Sequence, residues 1–224
     1  MCVGTNNPDV ITGTKRADTI KARGSGEGVD QVTAYGGGDK VFGGDGAGFL
    51  YGGPGAETLN AGPNLTTKTD SDFLAGEAGN DTLVESPSRD RYGFGPGWGQ
   101  DTLTGDGDQP GVQSDSDGLC FACSGIVADN VNISLAAGTA TDGTNCVTWD
   151  TTNDGPLIEN ATGGSGADTV TGSVRRNIVN GFDGADTINM ADDDGADLID
   201  CGNGTDTVIK DAGDTANNCE TVSP

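Results

Sequence analysis

The chain contains no histidine, which removes both a histidine-based catalytic triad and any histidine-bearing zinc site. Aromatic residues make up 5% of its 224 residues and apolar residues 33%, little material for the single large core of an ordinary domain. Basic residues are also scarce, 11 against 35 acidic ones, so the formal net charge is −24. Nucleic acid is therefore excluded as a partner, because phosphate binding needs basic patches, and an anionic membrane surface is disfavoured for the same reason. No apolar run is long enough to span a bilayer as a helix. The first ten residues, MCVGTNNPDV, lack the apolar core and basic flank of a signal peptide, which reads as a start that follows a removed leader. No nucleophile elbow is present either.

Glycine, by contrast, is abundant, at 40 residues. Low apolar content, high charge and many glycines normally leave a chain disordered, because burial does not offset the backbone entropy. A folded state needs a further source of stability. Bound divalent cations would supply it by neutralising carboxylates and cross-linking turns.

The glycines and aspartates are not scattered. They recur as GGxGxDxUx, where U is apolar. The cleanest copy is GGSGADTVT at 163–171, followed by GFDGADTIN at 181–189 and CGNGTDTVI at 201–209. Asp takes position six and the apolar residue position eight. A nine-residue period of this kind predicts a six-residue turn followed by a three-residue strand. Two units make one eighteen-residue coil, with position eight pointing inward and positions seven and nine outward. The expected fold is all-β, a right-handed parallel β-roll (a β-solenoid). Equivalent turns then alternate along the chain. One N-terminal stack is Asp18, Asp39, Glu57, Asp81 and Asp101; the other is Asp9, Asp30, Gly48, Asp72 and Asp90. The C-terminal stacks are Asp168, Asp186 and Asp206 on one side, and Asn177, Asp197 and Glu220 on the other. Small insertions interrupt the period at 22–24, 61–66 and 94–95.

The repeat resembles the RTX (repeats-in-toxin, hemolysin-type) calcium-binding β-roll family, loosely over 10–104 and well over 159–222. The stretches GGSGADTVTGSVRRNIVNGFDGADTI and VNISLAAGTA, with IENATG, are close to the family style. The ending IDCGNGTDTVIKDAGDTANNCETV looks like the terminal repeats of secreted actinobacterial members. The resemblance implies several Ca2+ ions, each between equivalent turns of successive coils. Two position-six carboxylates would bind it, with carbonyls of positions two and four of one turn and one and three of the next. One C-terminal site would use Gly164, Gly166, Asp168, Gly181, Asp183 and Asp186. A second would use Phe182, Gly184, Asp186, Cys201, Asn203 and Asp206. In the N-terminal half the expected metal residues are Asp18, Gly37, Asp39, Gly52, Gly53, Gly55, Glu57, Gly76, Ala78, Gly79, Asp81 and Asp101. The opposite edges are expected to be poor in calcium. Their turns lose the Asp at Gly48 and the glycines around TKTDSD and ESPSRD, and they carry arginines in GSVRRN.

Residues 105–158 break the repeat, so the expected organisation is a degenerate β-roll at 1–104, an irregular β insertion or cap at 105–158, and a calcium-binding β-roll at 159–224. Asp106, Asp108, Asp115 and Asp117 read as a solvated loop that lacks the spacing of a helix–loop–helix calcium site. Val131, Ile133 and Leu135 alternate with polar residues as a strand, with 146–149 as its candidate partner. Trp98 and Trp149 read as packing residues rather than sugar platforms. Six cysteines point to an oxidising compartment and structural disulfides. Cys201 and Cys219 fall one coil apart and are the expected pair. Cys120-x-x-Cys123 also matches a zinc half-site or a redox motif, but no second Cys-x-x-Cys is present to complete a zinc site.

The function expected from these readings is that of a secreted, extracellular, monomeric calcium-binding module without catalysis, whose folding and rigidity depend on Ca2+. The alternatives are a calcium-dependent adhesin or surface-binding module, ice included, given the threonines at position seven, or a non-catalytic fragment of a larger enzyme or toxin of the family.

Overall fold

Alternation within each short strand decides which side chains meet. In the computed structural model, which describes residues 1–25, 28–63, 71–105, 117–123, 130–151, 158–192 and 196–224, the position-eight residues are the buried ones. Ile20, Val41, Leu59 and Leu83 are fully buried, as are Val32, Leu50 and Leu74, while their sequence neighbours are mostly more exposed. Among the described residues the chain is all-β and forms a parallel β-solenoid. It divides into two units. Unit 1 comprises Met1–Gly93, Gly97–Asp117 and Val147–Leu157, and unit 2 comprises Phe94–Pro96, Gly118–Cys146 and Ile158–Pro224.

Unit 1 contains β1 (Cys2–Val3), β2 (Val10–Thr12), β3 (Thr19–Ser25), β4 (Asp30–Thr33), β5 (Lys40–Asp45), β6 (Gly48–Gly55), β7 (Thr58–Asn60), β8 (Phe73–Gly79), β9 (Thr82–Val84), β10 (Arg91–Gly93) and β11 (Gln100–Thr104). Odd-numbered strands pair in parallel with odd, and even with even, so successive strands alternate between two sheets. Register is set by the apolar column: Ile20 lies opposite Val41, Val41 opposite Leu59, and Leu59 opposite Leu83. A one-residue slip would turn that column out to solvent. Trp98 and Trp149 are buried here, as packing residues should be.

At the junctions of the two units in the chain are β12 (Asp117–Cys120) and β15 (Cys146–Thr148). Unit 2 contains β13 (Asn132–Ser134), β14 (Thr139–Thr141), β16 (Ile158–Thr162), β17 (Thr169–Thr171), β18 (Ile178–Asn180), β19 (Asp183–Gly184), β20 (Thr187–Met190), β21 (Leu198–Asp200), β22 (Asn203–Gly204), β23 (Thr207–Lys210), β24 (Thr215–Asn217) and β25 (Thr221–Ser223). One ladder runs β13–β17–β20–β23–β25 and the other β16–β18–β21–β24, all parallel. The threonine column at position seven is in register here: Thr169, Thr187, Thr207 and Thr221 stand opposite one another in turn. In unit 1 the equivalent column is interrupted by Lys40 between Thr19 and Thr58.

Two sequence expectations need correction. The neighbours of β13 are β17 and, antiparallel, β14, so 146–149 is not its partner; the tight turn after Ser134 returns the chain at once. Glu220 does not follow Asp197. β25 pairs with β23 and β24 with β21, so the turn after Asp197 in its stack is the one ending in Asp214. Ala216 at position eight is a weak apolar marker, which hid this coil. The cysteines form structural disulfides at the expected Cys201–Cys219 and at Cys120–Cys123; Cys2 faces Ile20 in register. Of the loop carboxylates, Asp106, Asp108 and Asp115 lie outside the described residues. Asp117 is buried and sits at a repeat position, its Oδ1 accepting the Asp90 N–H at 2.6 Å.

Candidate metal centre

Each position-six carboxylate has two oxygens, and in most coils the first is used in the same way, Glu57 being the exception. Oδ1 accepts the backbone N–H of the position-six residue one coil earlier: Asp39 from Asp18 at 2.6 Å, Asp81 from Glu57 at 2.7 Å, and Asp101 from Asp81 at 2.8 Å. Asp186 accepts from Asp168, and Asp206 from Asp186, each at 2.8 Å. The aspartate column is therefore a hydrogen-bonded ladder linking coils. Glu220 takes the next rung by accepting from Asp206, and Asp214 accepts from Asp197 on the other edge.

The second oxygen has one of two fates. In closed turns it bonds the N–H of position two of its own turn: Asp18 with Thr14 at 2.8 Å, Asp90 with Ser86 at 2.7 Å, and Asp168 with Gly164 at 2.5 Å. Asn177 does the same with Ser173 through its one side-chain oxygen. In open turns the chain instead enters the left-handed region. Tyr35 (φ 71°), Glu77 (φ 71°), Phe182 (φ 78°) and Gly202 (φ 91°) do so at position two, and Gly37, Gly79, Gly184 and Gly204 at position four. The Oδ2 atoms of Asp39, Asp81, Asp101, Asp186 and Asp206 are then buried without a hydrogen-bond partner, as are both carboxylate oxygens of Glu57. A non-glycine residue at positive φ costs roughly 1–2 kcal/mol, and a buried polar atom is normally satisfied. Both anomalies fall in the same turns.

Open turns also stack tightly. Residues 183–184 pair in parallel with 203–204, and the Asn203 N–H donates to the Phe182 carbonyl at 2.7 Å. Position four has no room for a side chain: a Cβ on Gly204 would come within 1.4 Å of the Gly184 carbonyl oxygen, and one on Gly79 within 1.6 Å of that of Gly55. Gly204→Ala is expected to lower the thermal midpoint of the protein by several degrees and to weaken cation binding, as melting curves with and without added calcium would show. Both clash and left-handed strain act there.

The electrostatics follow from burial. Desolvation, with the charge of Asp81 second, pushes Glu57 up to about 8. Desolvation also pushes Asp101 up to about 8, Asp168 to about 7 and Asp186 to about 6. Asp39 and Asp81 are raised for the same reason. These carboxylates need either protons or a cation. The donors on offer are carboxylate oxygens and closely stacked carbonyls, the hard oxygen set that calcium takes at six to eight positions. Among the described residues no three acidic or cysteine side chains gather into one site, so a cation here would depend on the carbonyls as much as on the carboxylates. The residues fit calcium.

The sequence-derived candidates fall as follows. Phe182, Gly184, Asp186, Cys201, Asn203 and Asp206 belong to two open turns stacked on each other. Gly164, Gly166 and Asp168 belong to a closed turn, which meets the open turn of Gly181, Asp183 and Asp186. In unit 1, Gly37, Asp39, Gly52, Gly53, Gly55, Glu57, Gly76, Ala78, Gly79, Asp81 and Asp101 share one edge of stacked turns. Asp18 begins that edge in a closed turn. Sequence reasoning passed over Tyr35, Glu77, Gly97 and Gly99, which take the left-handed positions of these turns. Counting back from Asp39, Asp81 and Asp101 would have found them.

A family model for the RTX calcium-binding nonapeptide repeat matches residues 3–25, 25–50, 33–63, 64–84 and 162–194, together just over half of the chain. Curated proteins yield no match.

Proposed function

The chain belongs to the RTX calcium-binding nonapeptide repeat family, and from that premise we propose that it is an extracellular β-roll whose folding and rigidity depend on calcium held between its open turns. One observation carries the reading: the position-six carboxylate oxygens of Asp39, Glu57, Asp81 and Asp101 in unit 1, and of Asp186 and Asp206 in unit 2, are buried without partners in stacked, left-handed turns. Calcium would supply positive charge and bridge the oxygens of successive coils. The chain's own part is to hold those oxygens. Asp39, Glu57, Asp81 and Asp101 would serve in unit 1, and Asp186 and Asp206 in unit 2, with the carbonyls of Gly37, Gly55, Gly79, Phe182 and Gly184 beside them. Asp168 would join only if its bond to Gly164 opened. The role is structural, with no catalysis of its own. Among the described residues no helix is long and apolar enough to cross a membrane. Low calcium inside a cell would leave the chain unfolded, and millimolar calcium outside would fold it by mass action.

Calorimetric titration of Asp186→Asn against the unaltered protein tests the assignment. Asp186 sits at the meeting of both expected C-terminal sites, so calcium affinity in that half is expected to fall on the order of tenfold or more, since affinity follows ligand charge. Equal affinity and ion count in the two proteins would sink it.

A further inference from the structure

One turn already holds a cation, and that cation belongs to the chain. In turn 209–214, on the β16–β18–β21–β24 edge of unit 2, the Lys210 ammonium donates to the carbonyl oxygens of Asp211 at 2.9 Å and Asp214 at 2.8 Å. The turn folds around it. The Asp211 N–H donates to Asp214 Oδ2 at 2.8 Å, and the Asp214 N–H donates back to the Asp211 carbonyl at 3.2 Å. Asp214 Oδ1 keeps the rung of the ladder, accepting from the Asp197 N–H at 2.9 Å. Asp211 Oδ2 accepts from the Asp192 N–H at 3.1 Å. The β20–β23 register, with Lys210 opposite Met190, fixes where the lysine starts.

The contrast with the other edge is chemical. Turns 181–186 and 201–206 contain no lysine or arginine, and there Asp186 Oδ2 and Asp206 Oδ2 are buried and unpartnered. In turn 209–214 an ammonium with three donors is placed against carbonyl oxygens. A second turn of the same edge is also supplied from within: in 172–177, Arg175 Nη1 lies 3.8 Å from Glu159 Oε1, and the Glu159 side chain is only 9% exposed.

We infer that the Lys210 ammonium supplies, at turn 209–214, the positive charge that a divalent cation supplies on the opposite edge. That turn therefore closes without calcium and takes none while the lysine is present. The inference rests on the calcium reading of the opposite edge. It gives the last coil of that edge a corner that does not respond to calcium, against corners on the opposite edge that do.

The test compares the unaltered protein with Lys210→Met, which keeps the stem and removes the charge, and Lys210→Arg, which keeps a charge. Thermal midpoints are read by circular dichroism, and bound calcium is counted by equilibrium dialysis, at about 1 mM and about 30 mM calcium chloride. Lys210→Met is expected to melt several degrees lower at the lower concentration, to recover at the higher one, and to bind one more calcium ion than the unaltered protein. Lys210→Arg is expected to gain no ion. An unchanged midpoint and ion count in Lys210→Met would overturn the inference. So would a lowered midpoint that calcium never restores, or an extra ion in the arginine variant. If the unaltered protein itself binds no calcium, the reading of the opposite edge fails separately, on its own row of the same experiment.

Discussion

Removing calcium with excess chelator near neutral pH is expected to collapse the far-ultraviolet β spectrum of this protein to that of a coil, and re-adding calcium, but not magnesium, to restore it. At a formal −24, the chain repels itself, and folding brings Asp39, Glu57, Asp81 and Asp101 into one buried column, in which Glu57 has both carboxylate oxygens buried without a partner. The opposing apolar contribution is thin. Each coil buries one column residue per sheet, such as Leu59 opposite Leu83 or Val170 opposite Ile188, while every coil orders many glycines. Ligand linkage then has a large lever. Each independent site at a hundredfold excess over its dissociation constant adds about 2.7 kcal/mol, and the sites within one unit act on one cooperative stack of coils. Magnesium should fail because it demands a near-ideal octahedron and gives up its water reluctantly. A β spectrum that persists in chelator would mean that the columns and the two disulfides suffice, and the open turns would then be structural.

The periodic parts of this architecture were legible because they depend on local chemistry repeated at fixed spacing. Position eight marked the core correctly from Ile11 to Val208, since only an apolar residue can occupy an inward site between stacked coils. The pairing of Cys201 with Cys219 followed from the same period. Legibility failed where a coil lost its apolar marker. Ala216 is too small to stand out, so Glu220 was placed on the wrong edge and Asp214 was missed. It failed again at Asp117 and Leu119, which continue the repeat after a break in its glycine pattern. The distinction between closed and open turns was illegible in principle from the motif. GGSGAD is the best match in the chain, yet Asp168 turns its second oxygen back to the Gly164 N–H, whereas the poorer matches GFDGAD and GEAGND leave theirs buried without a partner. Which of the two occurs goes with φ at positions two and four; glycine permits either sign, and Tyr35, Glu77 and Phe182 take the left-handed region without being glycine.

Acid is expected to do, in the absence of calcium, part of what calcium does. The carboxylates of Glu57 and Asp101 are pushed up to about 8, Asp168 to about 7 and Asp186 to about 6, each chiefly by desolvation. A group whose folded pKa is raised contributes stability that is fully present below its unfolded value, near 4, and is lost as pH rises through the folded value. The window for these groups therefore runs from about 4 to about 8, and across it the ion-free fold should gain stability as pH falls. Asp18 works in the opposite sense: the Thr14 hydroxyl, then the Thr14 N–H, lowers its pKa, so its contribution is lost only below the usual carboxylate range, outside that window. A pH series in chelator, followed by far-ultraviolet circular dichroism, should show strand signal returning between pH 8 and pH 5. In calcium the same series should be nearly flat until acid begins to displace the ion. Relief of the overall negative charge acts in the same direction, so the specific contribution is isolated with Asp101→Asn. That amide needs no proton, and its ion-free fold should tolerate a higher pH than the unaltered chain. If the variant and the unaltered chain regain structure at the same pH, the buried column is not what titrates, and the protons are acting through net charge alone.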